Sequence, residues 1–195
     1  MRKPAARPPV RQGASPISPV PDALTAVFGT TQTVEWITSR TTRNRTITSA
    51  IPPVFEQFAT FDEIDELDDL RLVQQERAVI GHLCEFGPQE WWLGYLDTGA
   101  HDVVFPAAQK IRMYADWPYV IVRAGPDEAL TWRDSPPDLI FPTDHSWLMS
   151  MLWDDGWTSI GGPARLIEDL AADPLVQVRV VELGVDATPP GRTSS

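Results

Sequence analysis

Residues 91–123 read WWLGYLDTGAHDVVFPAAQKIRMYADWPYVIVR. Apolar, β-rich runs occupy Trp91–Leu96, Val103–Phe105, Ile111–Tyr114 and Tyr119–Arg123. The breaks between them hold turn-forming residues: Asp97-Thr98-Gly99, Pro106 and Trp117-Pro118. Gaps this short leave no room for crossover helices, so the block predicts an antiparallel meander.

Helical spacing appears on either side of that block. Leu72, Val73, Glu76, Val79, Ile80, Leu83 and Cys84 fall near one helical stripe, and Gly87 suits its end. Pro163–Ala172 (PARLIEDLAA) reads as a helix with a proline near its start and Asp173-Pro174 at its end. Shorter helical segments are expected at Asp22–Phe28, Gly125–Arg133 and Ser146–Trp153, the last capped by Thr143 or Asp144. The acidic run Asp62–Asp69 suits an exposed helix start. Further strands are expected at Thr33–Thr38 (TVEWIT), Val54–Phe61, Leu139–Phe141, Trp157–Ile160 and Val176–Leu183. The fold class is therefore α+β, an antiparallel sheet or meander with several short helices.

The chain of 195 residues fits one domain, placed at residues 22–185. Residues 1–21 hold six prolines and Arg2, Lys3, Arg7 and Arg11, and read as a disordered, Pro-rich basic arm. Residues 186–195 (DATPPGRTSS) read as a disordered tail. No run approaches the roughly 20 apolar residues of a membrane helix. Prolines stand where a signal peptide carries its apolar stretch, so export is not expected. Cys84 is the single cysteine; it forms no disulfide within the chain and suits a reducing, cytoplasmic setting. With only two lysines among sixteen basic residues, the composition points to a GC-rich bacterial genome.

The formal charge is −11. Residues 1–50 carry seven Arg or Lys against Asp22 and Glu35, about +5, which leaves about −16 for the remainder. A body this acidic repels phosphate backbones, which argues against a nucleic-acid partner. Ser39–Thr48 (SRTTRNRTIT) is the exception: a polar, basic connection that reads either as an anion or nucleic-acid contact or as a solvated loop or edge strand.

Gly94–Phe105 (GYLDTGAHDVVF) has an Asp-Thr-Gly after one apolar strand and before another. The block resembles aspartic peptidases, and retropepsins in particular. The resemblance implies that Asp97 is the acid/base, with Thr98 and Gly99 supporting it. A second carboxylate must then share its proton to activate water. A single copy of the motif implies a homodimer with two Asp97 carboxylates meeting on its axis. Ser159-Ile160-Gly161 before the helix Pro163–Ala172 follows the family's order, whereas Tyr95 and His101 depart from its pattern. The simpler reading is a β-turn, in which Asp accepts local backbone hydrogen bonds and Gly supplies the dihedral.

Seven of the eight tryptophans lie between Trp91 and Trp157. Most suit a core. Trp153-Asp154-Asp155-Gly156-Trp157 reads as a surface turn presenting aromatics and carboxylates, and Trp117 and Tyr119 join it as candidate binding residues. His101-Asp102, Asp144-His145 and Asp154-Asp155 fall in expected turns, so no metal is assigned. No cofactor is implied. The reading is a small, soluble, acidic, non-catalytic binding protein that recognises another protein. A homodimeric aspartic-peptidase-like enzyme and an aromatic-lined small-molecule pocket are the alternatives.

Overall fold

A computed structural model describes residues 25–62, 69–98, 105, 108–132, 136–152 and 156–189. The arm 1–21, most of the acidic run, Gly99, His101-Asp102, Val103-Val104, Trp153-Asp154-Asp155 and the last residues of the tail lie outside the described residues. The strands are β1 (Gln57–Asp62), β2 (Trp91–Leu96), β3 (Ile111–Met113), β4 (Trp117–Ala124), β5 (Leu139–Pro142), β6 (Leu148–Ser150), β7 (Trp157–Gly162) and β8 (Val178–Val180). The helices are α1 (Thr31–Thr38), α2 (Asp69–Cys84), α3 (Pro126–Thr131) and α4 (Ala164–Ala172), with a 3-10 turn at Ile47–Ser49. The α+β class is as expected.

All eight strands form one antiparallel sheet in the order β3-β4-β2-β5-β6-β7-β1-β8. The meander is β5-β6-β7, and the block around residue 91 is not a simple one: β4 lies between β2 and β3. Trp117-Pro118, expected as a turn, opens β4 instead. Pro118 has no N–H to give, and it serves there as an acceptor, its carbonyl taking the Asp97 N–H at 2.8 Å.

Residue parity divides the sheet into two buried faces. Leu93, Tyr95, Val120, Val122, Ile140 and Met149 pack with Val79, Ile80 and Leu83 of α2 and Leu166, Ile167 and Leu170 of α4. Tyr119, Ile121, Leu139, Phe141 and Leu148 point the other way, against Val34 and Ile37 of α1 and Ile47 and Ile51. Trp91 and Trp147 meet edge to face at 5.1 Å on the first side, and Trp147 Nε1 donates to the Phe86 carbonyl at 2.6 Å.

Two expected elements change type. Thr33–Thr38 is helical, not a strand. Its Val34–Trp36 alternation suggests a strand, but the pair buried on the sheet is Val34 and Ile37, three apart. The Thr30 N–H donates to Thr33 Oγ1 at 3.0 Å and so starts the helix. Ser146–Trp153 is not a helix: Leu148–Ser150 is a strand between β5 and β7. A central strand covered on both faces has no alternation to show. Asp144 Oδ1 accepts from Ser146 N and Oγ, forming a turn rather than a helix cap. Asp22–Phe28 also departs from helix over its described part. Phe28 bridges Val122, and Arg123 N donates to Val27 O, covering the edge of β4 beyond the short β3.

Two glycines separate packing from propensity. A Cβ on Gly94 would lie 2.8 Å from Leu139 Cβ, whereas one on Gly81, mid-way along α2, meets nothing within 4 Å. Gly94→Ala is expected to lower unfolding stability by about 1–3 kcal/mol through overpacking. Gly81→Ala is expected to raise it by up to about 1 kcal/mol through helix propensity. Urea denaturation of both variants measures this; equal shifts of the same sign would refute the assignment of the tight contact to the sheet face.

Candidate binding cleft

The β3–β4 hairpin turns through Tyr114 and Asp116, whose φ angles are 52° and 69°. Non-glycine residues enter this left-handed region rarely, and a tyrosine there needs holding. The Tyr114 hydroxyl supplies that hold. It donates to the Ala50 carbonyl at 3.1 Å and, its proton being committed, accepts from Ser150 Oγ at 3.0 Å. Burial pushes its pKa well above the ordinary phenol value, against a smaller opposing effect of the Ser150 hydrogen bond. The ring therefore stays neutral and the hairpin is pinned to the covering layer.

Facing the hairpin is the connection from α1 to the 3-10 turn. Its chain closes on itself around Asn44. The Asn44 amide donates to Thr42 Oγ1 and Thr48 Oγ1 at 2.7 and 3.0 Å, and its oxygen accepts from Thr46 N and Oγ1, both at 2.9 Å. Thr42 N donates to Thr48 O at 2.9 Å. Threonine and asparagine side chains favour such local bonds over regular structure, which is why this polar stretch forms an ordered turn.

Between the two walls lies a cleft of about 370 Å³. Arg43 enters from the connection and Arg112 from β3. In β3, Ile111 and Met113 are buried and Arg112 between them is exposed, as a strand's alternation requires. Arg112 Nη1 donates to the Asp116 carbonyl at 2.8 Å, which fixes the guanidinium beside the turn. Among the described residues neither guanidinium has a carboxylate partner, and the hydroxyls of Thr41 and Ser49 have no hydrogen-bond partner. Met113, Trp117 and Leu152 give the cleft an apolar side, and Asp116 is the one carboxylate among its lining residues.

Of the residues singled out in the sequence, Trp117 lies in this cleft. Tyr119 does not: it is fully buried behind the hairpin, its hydroxyl without a partner among the described residues and its pKa pushed up by burial. Trp157, expected on a surface turn, is 7% exposed because it is the first residue of β7, paired with Asp62 of β1. Trp153, Asp154 and Asp155 are outside the described residues; Leu152, immediately before them, lines the cleft. Asp97 follows β2 near the same hairpin, and its Oδ2 is 3.1 Å from Lys110 Nζ. Thr98 is exposed. His145 stacks on Trp36 at 4.5 Å, while Asp144 is engaged with Ser146. Cys84 is half-buried against the α2 face, and burial raises its thiol pKa. His82 Nε2 meets Asp173 Oδ2 at 2.9 Å, joining α2 to the end of α4.

Arg112, Tyr114 and Asp116 were not anticipated as site residues. Their signal was an arginine on the open face of an otherwise buried three-residue strand. Ser39–Thr48, read as an anion or nucleic-acid contact or as a solvated loop or edge strand, supplies one wall of the cleft. No family model, no curated protein and no solved structure matches this chain.

Tyr114→Phe removes the hydroxyl and leaves the Ala50 carbonyl and Ser150 without their partner. The expected loss is about 1–3 kcal/mol of unfolding stability, read by urea denaturation; an unchanged midpoint would mean that the hydroxyl does not hold the turn. His145 gives a pH dependence. Burial holds its pKa below the ordinary value, with Asp144 pulling weakly the other way. The unfolded chain therefore takes up this proton first, and stability present above about pH 6.5 is lost as the pH falls from there toward the lower folded value. His145→Asn, which tolerates the φ of 59° at this position, should lose less stability on acidification than the parent. Identical pH profiles would refute the assignment.

Proposed function

We propose that this protein is a non-catalytic binding protein that recognises an anionic group in the cleft between residues 38–49 and the β3–β4 turn. One observation carries the reading: two guanidiniums without carboxylate partners line a single cleft of a chain whose net charge is −11. Acidic side chains are abundant in this protein, yet none among the described residues neutralises Arg43 or Arg112. A guanidinium offers planar, forked donors that match the oxygens of a carboxylate or phosphate. Thr41 and Ser49 add hydroxyl donors to the same wall. These groups bind anions and are poor proton carriers at neutral pH, which supports recognition rather than chemistry. The cleft takes over the role that the sequence suggested for Trp157 and Tyr119, both buried, and keeps Trp117.

Isothermal titration calorimetry with inorganic phosphate at low salt tests this. The expected result is saturable binding by the full chain. The double variant Arg43→Ala/Arg112→Ala should bind at least about tenfold more weakly, since each charge-assisted hydrogen bond contributes on the order of 1.5–3 kcal/mol. Asp97→Asn should bind as the parent does. An absence of saturable binding, or equal binding by the double variant, would overturn the proposal; loss of binding on Asp97→Asn alone would move the site to Asp97.

A further inference from the structure

The same cleft has a second chemical half. We infer that its ligand is a small phosphate monoester that also carries a flat ring and hydroxyl groups, of the size and type of a nucleoside monophosphate. This inference rests on the anion-binding reading above and goes further by assigning the rest of the lining.

Three observations lead to it. First, the donors outnumber what a carboxylate accepts. Arg43, Arg112, Thr41 and Ser49 offer several N–H and O–H groups, and the three terminal oxygens of a phosphate monoester accept more of them than the two of a carboxylate. Second, the hairpin wall that carries Arg112 is also aromatic and apolar. Trp117, Tyr114 and Leu152 are each partly exposed there. Arg–phosphate contact beside an aromatic surface is the pairing that a phosphorylated ring compound completes. Third, Asp116 is an acceptor placed among donors. A plain inorganic anion gains nothing from a carboxylate nearby, but a ligand with hydroxyl groups gives it hydrogen bonds to accept. The turn fixes Asp116 in its left-handed conformation, and its carbonyl is already engaged by Arg112.

Size narrows the choice. A cleft of about 370 Å³ lies near the lower end of the roughly 300–1,000 Å³ typical of small-molecule sites. That suits one phosphorylated ring and its sugar better than a dinucleotide.

The test is calorimetric titration of the full chain with adenosine monophosphate, adenosine and inorganic phosphate in turn. Adenosine monophosphate should bind about 5- to 150-fold tighter than phosphate, the gain expected from stacking a base on an aromatic side chain. Trp117→Ala should remove most of that advantage and leave phosphate binding unchanged. Asp116→Gly, which adopts the φ of 69° freely, should weaken the nucleotide while tightening phosphate, because a negative charge is removed but the hydroxyl acceptor is lost with it. These opposite signs are not produced by unfolding. Nucleotide binding no tighter than phosphate, or Asp116→Gly shifting both probes the same way, would overturn this inference and leave the anion site standing. Failure of all three probes to bind would remove both. Binding only of an acidic peptide would replace the small molecule with a protein partner.

Discussion

Everything in this molecule follows from an antiparallel sheet that is buried on both faces. An antiparallel sheet usually keeps one face in water and needs one covering layer. Here α2 and α4 cover one side, and α1 with the segment through Ile51 covers the other. Each strand is then covered both ways, and β5, β6 and β7 are buried along their whole length. Gly161 marks a place where the second layer comes too close for any side chain, and Gly94 one where the neighbouring strand does. A Cβ on Gly161 would lie 2.6 Å from Ile51 Cγ2 and one on Gly94 2.8 Å from Leu139 Cβ.

The second layer is thin, and that explains where the cleft lies. One eight-residue helix and an irregular connection do the covering, and α1 ends at Thr38, on the side of the edge strand β3. Past that point the chain turns back on itself through the Asn44 network instead of continuing over the sheet. The β3–β4 hairpin projects beyond the cover and is tied to it chiefly through Tyr114. The gap thus lies between a self-closed loop and a pinned hairpin, each held by its own hydrogen bonds.

Much of the fold was legible because period-2 and helical patterns are local. The α2 and α4 stripes and the strands around Trp91, Tyr119 and Leu139 stand in the sequence much as they stand in the structure. Ser146–Trp153 loses the alternation of a strand because it is buried on both faces, whereas Thr33–Thr38 alternates locally although its buried pair, Val34 and Ile37, is spaced as on a helix; tertiary packing decided both. Trp157 was placed on a turn by its neighbours Asp154, Asp155 and Gly156, although its own position opens a strand. The site was half legible. The unusual basic, hydroxyl-rich composition of Ser39–Thr48 announced one wall. Arg112 and Asp116 gave no comparable signal, because what matters is that a distant hairpin brings them opposite Arg43, and no local pattern encodes that juxtaposition.

The charge distribution gives the proposed site a selectivity of its own. At contact distance a forked guanidinium–oxygen bond outweighs the repulsion of carboxylates farther away, because salt screens charges beyond a Debye length of about 8–10 Å. A small anion inside the cleft therefore feels Arg43 and Arg112 first. A polyanion cannot confine itself to the cleft: its flanking charges run out over a chain of net charge −11 and meet repulsion along their length. In the proposed function the acidic body and the cleft act together, the one repelling extended phosphate chains and the other taking a single phosphate, and the feature that carries this reading is a pair of arginines with no carboxylate partner among the described residues.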